Sequence, residues 1–108
     1  MEQLTYTKKE GADYVLFTLS GDFNAYTAPN IQGDIYSSIE RTNVVLDLAN
    51  VNELDASAIG IIMATHNDAE EYKKRLYLMS LSNEVDRKLL ATGFKELFNI
   101  INSVTEVK

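Results

Sequence analysis

A single hydroxyl group, that of Ser57, stands between two alanines in the stretch NELDASAIG, residues 52–60. A serine in such a place can attack as a nucleophile if a histidine accepts its proton, can cap a helix, or can accept a phosphate. The one histidine, His66, follows nine residues later. On one helix this spacing amounts to about 13 Å, at ~1.5 Å per residue, which is beyond hydrogen-bond reach. The sequence therefore excludes a Ser57–His66 dyad and leaves a helix cap and a switch as alternatives.

Other catalytic chemistry finds few suitable residues. The chain has neither a G-x-x-x-x-G-K-[ST] phosphate loop nor a G-x-G-x-x-G motif. One histidine and no cysteine are too few for a zinc site. His66 follows Ile62 and Met63 by four and three residues, which indicates a structural histidine, and Glu70 and Glu71 are typical of a solvated helix face. We predict that the protein is not an enzyme and uses no metal or cofactor.

The composition bounds the class of protein. The 108 residues fit one domain with a real core, and the formal net charge is −6. The densest basic cluster, Lys73–Arg75, falls at a predicted helix end, where cations suit the helix dipole. We therefore predict no binding to nucleic acid or to an anionic membrane surface. No cysteine, no apolar run of ~20 residues and no signal-peptide pattern predict a cytoplasmic protein without membrane insertion.

Alternating strand and helix patterns must position Ser57. They predict an α/β fold, with one mixed β-sheet packed with α-helices in the order β-β-α-β-α-β-α. The residues form a single domain, 1–108, with a core over about 4–101 and a frayed tail over 102–108. Residues 98–101 fit either a short strand or part of a last helix. The predicted strands are Leu4–Lys8, Tyr14–Ser20, Asn43–Leu48 and Leu76–Leu81, with a turn at Gly11–Asp13 between the first two.

The predicted helices carry recognisable caps. Thr27 suits the N-cap of a first helix that reaches about Arg41, with Pro29 in its first turn. Asp55 or Ser57 opens a second helix that reaches about Lys74, directly after the strand that ends at Leu48. Ser82 or Asn83 caps a third helix that stops at Gly93. Ser57 then lies at the carboxyl end of a parallel strand, where functional loops gather.

Three blocks resemble one family. VVLDLANVNELDASAIG, residues 44–60, resembles a pattern of an aliphatic strand ending in Asp, a short loop, and Asp-Ser-Ser/Thr-Gly opening a helix. SGDFNAYTA, residues 20–28, resembles Gly-Glu-Leu-Asp-x-x-Thr-Ala, and residues 78–100 resemble the closing strand, the helix ending in Thr-Gly, and Leu-Phe-x-Ile. These patterns belong to the STAS domain, the sulfate-transporter and anti-sigma-factor-antagonist domain, and the likeness covers about residues 4–101.

The resemblance implies a regulatory function. In the bacterial anti-sigma factor antagonists of this family, a kinase that is also the anti-sigma factor phosphorylates the second hydroxyl residue of the motif, and a phosphatase removes the phosphate. By position the phosphoacceptor is Ser57, beside Asp55 and near Asp22. The alternative function within the same family is that of a phosphorylation-independent docking subunit of a transporter or signalling complex. A small enzyme or ligand binder of similar topology is a third possibility.

Three positions depart from the family pattern. Ala56 replaces the first serine, Ala58 replaces the glycine after the acceptor, and Asn24 replaces the aspartate of Gly-Glu-Leu-Asp. The Ala58 methyl is expected to stand beside Ser57 and to limit backbone freedom or kinase access.

A partner also needs a surface to dock on. Helical spacing assigns Ile59, Ile62, Met63 and His66 to the core, and places Ile61 on another stripe. Ile61 is then an exposed docking residue beside the switch, unless the whole helix is buried.

Overall fold

The computed structural model describes residues 2–107; Met1 and Lys108 lie outside the described part, so the predicted frayed end at Lys108 is not tested. The α/β class and the predicted element order are both confirmed. Among the described helices, none combines the length and apolar character needed to cross a bilayer. The strands are β1 (Thr5–Glu10), β2 (Tyr14–Phe23), β3 (Asn43–Leu54), β4 (Leu76–Met79) and β5 (Asn99–Ile101), and the helices are α1 (Pro29–Ile39), α2 (Ala56–Glu71) and α3 (Asn83–Thr92).

The five strands form one sheet in the order β1-β2-β3-β4-β5. The β1–β2 hairpin is antiparallel, as the turn-rich Gly11–Asp13 predicts, and the other neighbouring strands are parallel. Each parallel connection contains a helix, as a crossover between parallel strands requires. The sheet is therefore mixed, and the carboxyl ends of β2 and β3 lie side by side.

Apolar side chains alternate along the strands and fill two layers. Val15, Phe17 and Leu19 of β2 point to the face that all three helices cover, in the main core. On the opposite face Val45, Tyr77, Met79 and Ile101 form a smaller cluster, against which Val104 and Val107 pack. Both faces of the sheet are thus covered, which explains why Leu16 is apolar although it alternates with the main core positions.

Several element boundaries differ from those predicted. β3 continues past Leu48 to Leu54, because Asn50–Leu54 pairs with Ser20–Phe23 at the end of β2. Asparagine and glutamate in this stretch favour a loop, but the neighbouring strand supplies hydrogen bonds that override this local preference. α2 ends at Glu71, before Lys74, and Lys73 takes a left-handed backbone with φ of 58°. The basic cluster lies in the loop after the helix.

The segment after β4 also settles two expectations. Residues 99–101 form a strand, so the strand alternative is confirmed. The tail is not frayed over residues 102–107, because Val104–Glu106 forms a short 3-10 helix with a capping box. In that box Ser103 caps the turn while the carboxylate of Glu106 accepts from the backbone N–H of Ser103 at 3.0 Å.

Gly21 lets the end of β2 pass close to the N-terminal segment. Its φ is +109°, and a Cβ built there would lie 2.3 Å from the carbonyl oxygen of Gln3. A side chain is therefore excluded both by backbone conformation and by the close approach of the N-terminal segment. The chain then enters residues 22–28, which precede α1 and border the N-terminus of α2.

Candidate functional site

Ser57 lies in the first turn of α2 and is exposed. Asp55, not Ser57, is the N-cap, since its Oδ1 accepts a hydrogen bond from the Ala58 N–H at 3.0 Å. Within residues 2–107 the Ser57 hydroxyl makes no hydrogen bond. Of the alternatives left by the sequence, the cap therefore falls to Asp55, and the Ser57 hydroxyl is available at the surface.

Asp55 also joins two segments of the site. Its second carboxylate oxygen, Oδ2, accepts from the backbone N–H of Ala25 at 3.0 Å. The backbone N–H of Asp55 itself donates to the carbonyl of Phe23 at 3.3 Å. One side chain therefore ties the first turn of α2 to the turn that precedes α1.

The turn over residues 24–28 is built around Asn24, which is buried. Its Oδ1 accepts from the N–H groups of Tyr26 and Thr27 at 3.0 and 3.2 Å. Its Nδ2 donates to Oε1 of Glu53 at 2.9 Å, which links the turn to the end of β3. Asn24 thus acts as an internal cap of this turn, a role that asparagine fills well.

Thr27 does not cap α1, contrary to the prediction. Its Oγ1 accepts from the Asn24 N–H at 3.0 Å and donates to the Asp22 carbonyl at 2.7 Å, so it closes the turn instead. The N-cap position of α1 is Ala28, which has no capping side chain, and Pro29 follows in the first turn as predicted. Buried Asp22 accepts from the Glu2 N–H through Oδ2 at 2.8 Å. Its described hydrogen bonds therefore go to the N-terminal segment and to Thr27, not to α2.

Two residues predicted to border the switch at the surface are in the core. The Ala58 side chain is fully buried, so its methyl does not stand beside Ser57 at the surface. Ile61 is only 6% exposed and belongs to the main core, so the prediction of an exposed docking residue is wrong. Helix α2 is buried over a wide arc that includes both Ile61 and Ile62, because helices or strands cover it on more than one side.

The electrostatic surroundings of Ser57 are acidic. Residues 22–28 and 53–60 include Asp22, Glu53 and Asp55 but no lysine or arginine. The positive end of α2 is the one local feature of these segments that attracts an anion. A phosphate on Ser57 would therefore add negative charge to two segments that already carry three acidic residues and no lysine or arginine.

The family is shown by comparison with known proteins. The model of the STAS domain matches residues 3–107. The chain belongs to the STAS domain family. It is 25% identical over 97 residues to an anti-sigma-B factor antagonist of Listeria monocytogenes, with 88% of this chain and 85% of the relative covered. An anti-sigma-B factor antagonist of Staphylococcus epidermidis is 26% identical over 98 residues, with 89% and 90% covered.

Solved structures share the fold of this STAS domain. A putative anti-sigma factor antagonist from Thermotoga maritima superimposes with a TM-score of 0.82 at 18% identity, covering 94% of this chain and 89% of that one. The anti-sigma factor antagonist SpoIIAA in its unphosphorylated form gives 0.79 at 15% identity, covering 94% and 91%. The Bacillus cell fate determinant SpoIIAA in its phosphorylated form gives 0.74 at 14% identity, covering 94% and 95%.

His66 has a structural role in this STAS domain. Its ring packs edge-on against Phe98 at 5.5 Å between centroids, and its Nε2 lies 3.4 Å from Oε1 of Glu70. Ser57 is on the same helix nine residues earlier, as assumed in excluding the dyad. Residues 2–107 form no pocket and no group of three or more histidine and carboxylate side chains suited to a metal ion.

Sequence reasoning missed two residues of the site. Glu53 was treated as loop, yet it is the partner of Asn24 across the β2–β3 pair. Tyr26, between Asn24 and Thr27, is 82% exposed at the tip of the turn. The signal that could have indicated it is an aromatic residue in a turn-forming segment directly after a strand.

Proposed function

We propose that this STAS domain is an anti-sigma factor antagonist switched by phosphorylation of Ser57. The unphosphorylated form binds an anti-sigma factor that is also a serine kinase, and so frees a sigma factor. Phosphate transfer from ATP to Ser57 ends the binding, and a serine phosphatase restores it. In this proposal the protein acts in the cytoplasm, and its own residues catalyse no reaction.

The single observation that carries the proposal is the state of the Ser57 side chain. It is exposed and its hydroxyl makes no hydrogen bond within residues 2–107, because Asp55 supplies the cap. A kinase can therefore reach the hydroxyl without breaking a structural contact. The family membership and the names of the Listeria and Staphylococcus relatives support the same function.

The local geometry supports a switch that changes binding but not the fold. The N-terminus of a helix favours an anion through its dipole and its free N–H groups. A partner packed over the same turn would instead meet a hydrated group with a charge of about −1.5 to −2, next to Glu53 and Asp55. Phosphorylation then acts by repulsion and by its desolvation cost at the interface.

The three departures from the family pattern are compatible with this switch. Exposed Ala56 leaves Ser57 as the one hydroxyl in the first turn of α2. Ala58 is buried and so does not obstruct access from the surface. Asn24 keeps its turn in place by hydrogen bonds, although it lacks the charge of an aspartate.

The test incubates the protein with an anti-sigma factor serine kinase of its own organism and ATP, and measures the intact mass of the protein. We expect one added phosphate on the wild type and none on Ser57→Ala. The matched control is Ser37→Ala, which removes another exposed helical serine and should still accept one phosphate. Binding of that kinase is expected to be lost when Ser57 is phosphorylated.

Two results would contradict the proposal. Phosphate on Ser57→Ala would show that the acceptor is elsewhere. No transfer to the wild type, with stable binding to a transporter subunit, would instead favour the phosphorylation-independent docking subunit.

A further inference from the structure

Tyr26 is unusually exposed for a large aromatic residue. Its side chain is 82% exposed, the highest value among the exposed large hydrophobic residues of the described chain. The two residues that flank the Ala25–Tyr26 pair are buried; they are Asn24 and Thr27. The chain therefore turns outward at this point and presents one aromatic ring to solvent. Exposed tyrosines of this kind are enriched among the residues that dominate binding energy at interfaces.

The backbone that presents Tyr26 is held by hydrogen bonds. The N–H of Ala25 donates to Asp55, and the N–H groups of Tyr26 and Thr27 donate to Oδ1 of Asn24. The Ala28 N–H donates to the Asn24 carbonyl at 2.8 Å, so the turn runs directly into α1. Little conformational entropy remains for the backbone of this turn to lose on binding, which favours tight association.

The turn is adjacent to the proposed switch. Asp55 accepts from Ala25, the residue before Tyr26, and from Ala58, the residue after Ser57. The same carboxylate thus spans the turn and the first turn of α2, and both segments share one surface. We therefore expect a partner that covers exposed Ser57 to meet the ring of Tyr26 as well.

We infer that Tyr26 is the aromatic anchor by which this domain docks on its anti-sigma factor kinase. The inference rests on the proposed function and adds the residue that supplies the main apolar contact. The partner is expected to offer an apolar pocket for the ring, with a polar group for the hydroxyl. Ser57 lies outside that pocket at its margin, where a phosphate can disrupt the contact.

The test measures the Kd of the unphosphorylated chain for an anti-sigma factor serine kinase of its own organism, by isothermal titration calorimetry. We expect Tyr26→Ala to weaken binding by about 30-fold or more, the loss typical of an interface hot spot. Tyr26→Phe keeps the ring and should weaken binding by less than about 10-fold. The matched control is Tyr72→Ala, which removes another exposed tyrosine at the far end of α2 and should leave the Kd within about twofold.

Each outcome separates this inference from the proposed function. Binding by the wild type and by Tyr26→Ala with equal Kd would overturn the anchor and leave the switch in place. A wild type that neither binds the kinase nor accepts phosphate on Ser57 would overturn both. The urea unfolding curve of Tyr26→Ala should match that of the wild type, because the exposed ring contributes little to the core; a large loss of stability would contradict the exposed position.

Discussion

At residue 24, this chain has an amide where the STAS pattern has a carboxylate. The amide forms a hydrogen bond with Glu53. The Asn24 Nδ2 donates to Oε1 of Glu53 at 2.9 Å, across the ends of β2 and β3. An aspartate in the same rotamer would bring two carboxylates together at that distance. Asparagine therefore suits this position beside Glu53, because its amide donates a hydrogen bond that an aspartate carboxylate cannot.

Asn24→Asp is predicted to destabilise the domain near neutral pH. The change removes a hydrogen bond and opposes two negative charges, with an expected loss of about 1–2 kcal/mol in the free energy of unfolding. Urea denaturation at pH 7 measures this loss.

The control for this prediction is the double variant Asn24→Asp with Glu53→Gln. The glutamine amide can donate to the new carboxylate and removes the opposing charge, so most of the lost stability should return. If the single variant is as stable as the wild type, or the second change gives no recovery, the Asn24–Glu53 pair does not have the assigned role.

At the scale of elements, α2 shows how helical spacing alone can misassign a face. Ile59, Ile62 and Met63 do contact the core, as expected, but so do Ala58 and Ile61. The same helix contacts α1 and also packs on β3 and β4, so the buried arc is wider than one stripe. The positions of neighbouring elements, which the periodicity of one helix does not contain, decide this width.

Ile61→Ala is predicted to lower the free energy of unfolding by about 2–4 kcal/mol, because it leaves a cavity in the main core. Thermal or urea unfolding measures the loss. Ile100→Ala is the matched control, since Ile100 is 39% exposed on β5 and should change stability far less. A negligible effect of Ile61→Ala would instead support the exposed position that the sequence predicted.

A charged contact joins β1 to α1. Lys8 Nζ lies 2.7 Å from Oδ1 of Asp34, and the Tyr6 hydroxyl donates to Oδ2 of Asp34 at 3.1 Å. The hydrogen bond from Lys8 is the main cause that holds the pKa of Asp34 below its usual 3.8. Burial, together with the Asp34 carboxylate, raises the pKa of Tyr6 above 10.0.

These shifts predict a pH dependence with a definite sign. The lowered pKa of Asp34 means that its stabilising effect is present above the unfolded value of 3.8 and is lost as the pH falls through the folded value. The raised pKa of Tyr6 means that its effect is lost as the pH rises above 10.0. Urea unfolding from pH 7 down to 2.5 should show a shallower loss of stability for Asp34→Asn than for the wild type.

Asp13→Asn is the control, because it removes an exposed carboxylate from the hairpin turn without touching this contact. Its acid unfolding profile should follow that of the wild type. Equal slopes for the wild type and Asp34→Asn would exclude the predicted role of the Asp34 carboxylate.

At the scale of the whole molecule, the proposed switch requires a fold that tolerates charge at Ser57. Ser57→Glu is predicted to leave the free energy of unfolding within about 0.5 kcal/mol of the wild type, because the helix dipole offsets repulsion from Asp55 and Glu53. Circular dichroism and urea unfolding test this, with Ser57→Gln as the uncharged control. Unfolding of Ser57→Glu, but not of Ser57→Gln, would show that a negative charge disrupts the fold itself.

Much of this architecture follows from local patterns. Alternation in β2, the aliphatic run of β3 and the Ser82 cap of α3 predicted the element order and the mixed sheet, because these signals depend on neighbouring residues. The ends of β3, α2 and the tail were placed wrongly. The ends of β3 and the tail depend on partners distant in sequence, which are β2 for residues 50–54 and the sheet face for Val104. Helix α2 ends at Glu71, just before the left-handed backbone of Lys73.

The sequence by itself determined the fold class, the family resemblance and Ser57 as the proposed acceptor, since these lie in the order and spacing of residues. The tertiary structure decided that Asp55 binds the N–H of Ala25, that Ile61 is buried, and that Asn24 pairs with Glu53. Hydrogen bonds and burial between segments about 30 residues apart depend on how the sheet and helices pack, and no local pattern encodes that packing.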